Sequence, residues 1–555
     1  MVLVCALGTA GAPLGASGSA HRPPLSTRAR LRGGGGDGAA RRAPPGGGCA
    51  RDASVSTAAV AAPPPAPPPL VRTAERVERT LFVSLAAMLF CALFSYQLLQ
   101  MTKDTILVDA CGAEAITFVK VYGVLPASMV FLALHSRMER TAPDGRPRSA
   151  AYVKSLVPFV AFFGLFGAVL YPMRHALHPR ALPEPPGFLA FFAKAEGLRS
   201  VQLLARHWTF ALFYIFSELY GNVGVAILFW QFSNNVVSMR QARAFYPVLA
   251  RYTWIAPVLA GQAIVLADRA FRGNFANSMR AITALVVLSG CAMGALHRAA
   301  LGASRELARI RPEPMDPAIS VSGRARKQRK PGLVRSVLLV SSSPYLACVS
   351  VLVLSYGLCM NFTEVLWKTS LVRCFPDVDS YQRFLGWFST ALGLAVFAVS
   401  LVAPAALRVL GWHASALTVP AVMGVLALPF FWAAAARVDG PSCSRIAVIA
   451  GAVHNLASKS LKFTLFDPTK NMAYLPLQPE VRGAGQAAID VLGGRLGKSS
   501  AALLQQLVII LCGGDIVRGV GAIGGMYACA TIAWICAVNS LARKLPARLL
   551  VRAHI

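Results

Sequence analysis

The chain has 555 residues, of which 55% are hydrophobic and only 14% charged, and its mean hydropathy is +0.54. A domain in water carries about a quarter charged residues to keep its surface wet, so a single water-soluble globule is excluded and the apolar surface must face lipid. The net charge of +31 does not indicate nucleic acid, because Lys and Arg fall between long apolar runs and in the tails rather than on one basic face.

Residues 1–70 are Ala, Gly, Pro, Ser and Arg, with seven Arg, no Lys, no Glu and only Asp37 and Asp52 as acids. Such a composition cannot bury a core, and an Arg-rich, acid-poor N-terminus predicts an organellar transit peptide. From there on, apolar runs long enough to cross about 30 Å of hydrocarbon recur. They fall near 81–100, 116–134, 152–172, 208–230, 246–267 and 281–297, then 336–359, 383–403, 414–435, 446–466, 497–513 and 518–540. The fourth, tenth and eleventh carry charges, so hydropathy marks them weakly.

The predicted fold is an all-α polytopic membrane protein, with about twelve transmembrane helices in two six-helix halves, major-facilitator-like. The halves are 71–297 and 336–540; a basic hydrophilic linker, 298–335, joins them, and 541–555 form a basic tail. The linker holds ten Lys or Arg against Glu306, Glu313 and Asp316. By the positive-inside rule it shares one face with the other basic loops and both termini.

A charge at a bilayer centre costs about 2.5–3.5 kcal/mol and usually faces a cavity or a partner. Glu218 interrupts the apolar run from Trp208 to Trp230, and Glu364 follows another, just ahead of Trp367 and Lys368. Lys103 and Asp104 close the first run, Lys459 and Lys462 are three apart on one helical face, and Lys498 opens the eleventh run. Lys103, Asp104 and Lys498 lie close enough to span ends to snorkel; the two glutamates have stems too short for that.

The segment GGRLGKSS around Lys498 has Leu492 where a phosphate-binding P-loop needs glycine, and no strand precedes it. A glycine-rich turn into a helix can still offer backbone N–H groups to an anion. The twelve cysteines show no metal-ligand spacing. Cys91, Cys348, Cys359, Cys512, Cys529 and Cys536 lie in apolar runs, where cysteine acts as a small hydrophobe. No cofactor or metal is implied, and neither is an enzyme, since no nucleophile constellation is present.

The stretch FDPTKNMAYLPLQPEVRGAGQAAIDVLGGRLGKSSAALLQQ (466–506) resembles a signature of the ATP/ADP antiporters of plastids and obligate intracellular bacteria. Residues 102–128, 216–234, 361–376 and 381–393 are similar to further stretches of that family, in the same order. The resemblance implies a carrier, not an enzyme, that exchanges ATP for ADP by alternating access, with the nucleotides as its partners besides the lipid bilayer. It also implies a plastid (chloroplast) inner envelope location. Family positions tied to transport match Lys103, Glu218, Glu364 and Lys498.

The chain departs from the family pattern at Gln100-Met101, Asn471, Ala484 and Gln486. Carriage of other nucleotides, or proton symport, is therefore the alternative reading, with a membrane-embedded nucleotide-using enzyme as the remoter one. In the antiport reading Lys103 and Lys498 grip phosphate, joined by Lys459 or Lys462. Glu218 and Glu364 hold the lysines between cycles, and Asn234 reads the base. Oligomeric state is left open by the sequence.

Overall fold

The computed structural model describes residues 69–140, 149–179, 198–221, 228–271, 273–310, 343–436, 444–477, 485, 489 and 497–544. The regular structure among them is entirely helical. Eight of these helices are long and apolar enough to cross a membrane. One, Val378–Ala435, breaks at Gly411 and crosses twice. Three further crossings are built from shorter pieces, and these are the three that charge weakens in the sequence.

In chain order, span 1 is Pro69–Cys111. Span 2 runs through Ala115–Phe118, Val119–Val124 and Leu125–Arg140, and span 3 through Ser149–Leu165 and Phe166–Leu170. Span 4 contains Trp208–Tyr220 and Trp230–Val236, span 5 Met239–Arg251 and Ile255–Ala270, and span 6 is Phe275–Ile310. In the second half span 7 is Pro344–Cys374, and Val378–Ala435 supplies spans 8 and 9. Span 10 joins Arg445–Leu461, Lys462–Phe466 and Asp467–Ala473; spans 11 and 12 are Gly497–Leu511 and Val520–Lys544. Counted among the described residues, twelve crossings place the start of span 1 and the end of span 12 on one face, here the terminal face. The opposite side is the far face.

Local chemistry sets several of these boundaries. Span 7 begins where the Ser343 side chain accepts the Leu346 N–H and Pro344 takes the first helical position, where its missing N–H costs nothing. Asp377 caps span 8 through the Ser380 N–H at 3.0 Å, and Ser444 caps span 10. At Gly411 the chain adopts φ 72° and ψ −179°, a conformation open to glycine and strained for a side chain.

Two boundaries differ from the sequence reading. The seventh helix runs on to Cys374, past the predicted end at 359. The apolar signal stops at Glu364 and Lys368, but those charges are paired inside the bundle and the helix continues through them. Span 6 likewise continues to Ile310, into the predicted linker, as a helix that extends beyond its apolar stretch. The predicted tail up to residue 68, the linker from 311 and the C-terminal tail from 545 lie outside the described residues. The six cysteines read as small hydrophobes are free thiols, whereas Cys374, at the end of span 7, is disulfide-bonded.

The halves touch through segments near the far face. Span 5 lies against span 8 along Ile255–Ala270, and the start of span 2 lies against span 11. A Cβ added at Gly261 would meet the carbonyl oxygen of Gly386 and the side chain of Thr390, so the two backbones approach as only glycine allows. Gln262 donates to Thr390 at 2.9 Å, Ser389 to the Pro257 carbonyl at 2.9 Å, and Gln506 of span 11 to the Thr117 carbonyl at 2.9 Å. Asp268 and Arg383 close the row with an ion pair at 2.6 Å. Toward the terminal face the same spans pack within the first half. Leu125–Arg140 lies on spans 3 and 4, and Gln241 of span 5 donates to Glu78 of span 1.

Candidate functional site

Between the halves, at the depth of this seam, seven charged side chains form one ionic chain. Lys103 of span 1 lies 2.9 Å from Asp104 and 3.0 Å from Glu218 of span 4. Asp104 uses its second oxygen for Lys368 of span 7, at 2.8 Å. Lys368 also lies 3.3 Å from Glu364, one turn earlier. Glu364 in turn has Lys120 of span 2 at 3.6 Å and Lys459 of span 10 at 3.7 Å. Four ammonium groups thus face three carboxylates.

The packing explains how charges survive here. Lys103 sits 4.0 Å from the centre of the Tyr214 ring, one turn before Glu218, so a cation–π contact completes its shell. Lys120 donates to the Asn361 side chain at 3.0 Å, and Asn361 itself donates to the Gly357 carbonyl. Lys120 lies on the π-helical turn Val119–Val124, and Lys459 lies three residues before another, Lys462–Phe466. Such turns displace side chains from the regular helical stripe and are common at functional sites.

Exposure divides the chain into two layers. The side chains of Lys103, Asp104 and Lys368 are 2%, 6% and 3% exposed, whereas Glu364 is 23% exposed and Glu218 17%. The deep layer is sealed in protein, while Glu218, Glu364, Lys120 and Lys459 of the shallow layer are partly exposed. An anion entering between the halves would reach these four first.

Of the residues singled out from sequence, Lys103, Glu218, Glu364 and Lys459 come together here. Lys462 opens its π-helical turn with its ammonium 5.7 Å from the Tyr356 ring and 5.2 Å from that of Phe463. Asn234 stands apart, exposed on Trp230–Val236, where it accepts a hydrogen bond from the Tyr246 hydroxyl at 2.7 Å. Lys498 is the second residue of span 11, and its side chain lies outside the described residues. Sequence reasoning did not select Lys120, and noted Asp104 and Lys368 only as neighbours of other charges. Lys120 had the right signal, a cation within TFVKVYG, but sits close enough to a span end to pass for a snorkelling residue.

Nearer the far face, Glu114 accepts from Thr369 of span 7 at 3.4 Å, another link between the halves. It precedes span 2. Burial, reinforced by Asp515, raises its carboxyl above the usual range, and Arg373 partly offsets this. Arg373 forms a forked pair with Asp515 at 3.1 and 3.2 Å.

Two six-helix halves joined near one face, with charge buried between them, make this a polytopic membrane protein of the major-facilitator fold. A D-xylose–proton symporter shares that fold, with a TM-score of 0.50 at 13% identity, covering 84% of this chain and 98% of its own. The nucleoside transporter NupG does so with a TM-score of 0.50 at 11% identity, covering 84% and 99%. The TLC ATP/ADP transporter family model matches residues 71–545, and the chain belongs to that family. It is 34% identical to ADP,ATP carrier protein 1 of Chlamydia trachomatis over 82% of this chain and 86% of that protein. It is 32% identical to ADP,ATP carrier protein 1, chloroplastic, of Arabidopsis thaliana, over 83% of this chain and 73% of that one.

Proposed function

We propose that the protein is an antiporter that exchanges ATP for ADP by alternating access, and that its membrane is a plastid inner envelope reached through a transit peptide in residues 1–70. The observation that carries the transport reading is Glu364, whose carboxylate gathers Lys120 from the first half and Lys368 and Lys459 from the second. A polyphosphate is the natural competitor for such a carboxylate. ATP brings about four negative charges and ADP about three, and in a low dielectric each contact with an ammonium is strong. An anion held by lysines of both halves gives both halves a reason to move around it.

In this reading Lys103, Lys459 and Lys498 grip phosphate, with Lys462 at the edge of the same space. Glu218 and Glu364 hold the lysines between cycles, and Asn234 meets the base. The relatives' printed names, ADP,ATP carrier proteins, support the substrates, and the Arabidopsis relative's printed chloroplastic label supports the location. The test is uptake of labelled ATP by the purified protein in vesicles. Vesicles preloaded with ADP should fill far faster than empty ones; equal rates would rule out exchange.

Asn471, Ala484 and Gln486 favour a second reading, a carrier of other nucleotides or a proton symporter. Uptake driven by a pH gradient into empty vesicles, or stronger competition by another nucleotide than by ADP, would establish it. A reporter carrying residues 1–70 that stays in the cytosol would overturn the location.

A further inference from the structure

We infer that Asp104 is the positioning residue that makes exchange strict, by tying the halves together through Lys368 whenever no anion occupies the cavity. The inference rests on the antiport reading. Asp104 is the one carboxylate of the described cluster in the deep layer, with Lys103 of its own half on one oxygen and Lys368 of the other half on the second. It lies seven residues before Cys111, the far-face end of span 1, and Lys368 lies six residues before Cys374, the far-face end of span 7. At 1.5 Å per residue these depths are about 10 and 9 Å, level with the seam, where Gly261 lies nine residues before the far-face end of span 5 at Ala270. The far face cannot open without drawing Lys368 away from Asp104.

Charge counting shows what that separation requires. Parted from its partner, the first half keeps Lys103 and Lys120 with Asp104 and Glu218, and is balanced. The second half keeps Lys368 and Lys459 with Glu364 alone, and is left with an unmatched ammonium among its described charges. A buried charge stripped of its partner is strongly unfavourable. A polyphosphate bound to Lys368 and Lys459 would remove that obstacle, and would do so only when it is present. Opening thereby becomes conditional on cargo. The restraint is a pairing of charges across the halves, whose loss leaves the second half short of counter-charge.

The test compares uptake into preloaded and empty vesicles for the wild type and Asp104→Asn, which keeps shape and removes charge. Flux into empty vesicles should rise at least tenfold in Asp104→Asn, and the ratio of preloaded to empty uptake should fall toward one. Lys368→Gln, cutting the same pair from the other side, should give the same loss of preloading dependence. A wild-type ratio in either folded variant overturns the lock. If neither assembles, the decision passes to a thiol at the seam, Ser389→Cys in the otherwise unaltered protein. Its labelling from the far face should require nucleotide, and equal labelling without nucleotide overturns the proposal. Wild-type uptake that ignores preloading would instead overturn the exchange reading. Strict wild-type exchange with equally strict Asp104→Asn would remove only the lock.

Discussion

Two joints hold the halves of this protein together, and they are made of different materials. The seam of spans 5 and 8 consists of glycines, backbone carbonyls and hydroxyls, with a single ion pair at its end. The joint beside it consists almost wholly of charge. Small residues bring helices into close contact without a hydrophobic drive of their own, since lipid is as apolar as the helices. Such a seam can part and re-form at modest cost. A charged joint changes only when something supplies an equivalent charge, so it can answer to a ligand. The seam therefore provides the movement and the charged joint the condition for it.

That contrast is open to attack, most severely at the charged joint. Lys103→Ala leaves Asp104 and Glu218 facing one another without their shared cation, a change of about 3–5 kcal/mol for a buried pair. Nucleotide exchange by the purified variant should fall by roughly two to three orders of magnitude. A rate within tenfold of wild type would mean that the joint is not what the cargo acts on. At the seam, Gly261→Ala forces two backbones apart, with an expected cost of about 1–3 kcal/mol, typical of overpacking. Faster hydrogen exchange along residues 255–270 would register it.

Smaller still is Asp268→Asn. Asp268 is buried but Arg383 is half exposed, and with its cation in water the pair contributes about 1 kcal/mol or less. The effect on exchange rate should shrink further in high salt, and a salt-independent effect would show the pair to be more enclosed than its geometry implies. The mildest effect is that of pH at Glu114. Because burial raises its pKa, the sealed form binds a proton more tightly than a form in which Glu114 meets water. Acid thus favours the seam, and the preference fades as pH rises through the raised value. Glu114→Gln should flatten that part of the exchange–pH profile, above the ordinary carboxylate range. An unchanged profile would assign the titration elsewhere.

Much of the fold was legible because a span announces itself by length and apolarity alone. Glu218 and Glu364 were legible because a carboxylate in an apolar run has no cheap explanation. The end of span 7 was misread for the same reason: hydropathy treats Glu364 and Lys368 as the edge of a helix, although mutual pairing carries them inside it. The Asp104–Lys368 bridge joins residues from different halves, and no periodicity reports a contact at such separation. Lys120 was hidden by its position near a span end, where a long side chain normally escapes to water. Only packing on Asn361 and Glu364 shows that it turns inward.

The connection between the two joints has almost no slack. Only residues 375–377 separate the helix bearing Lys368 from the one bearing Gly386, and that second helix reaches Gly411, where the chain breaks and returns as span 9 to Ala435. A tug on the lysine is thus delivered along nearly rigid rods, as in a linkage whose hinges have little play. Gly411 is where the second rod ends, and a bulkier residue there would strain the turn between spans 8 and 9 without touching the cargo.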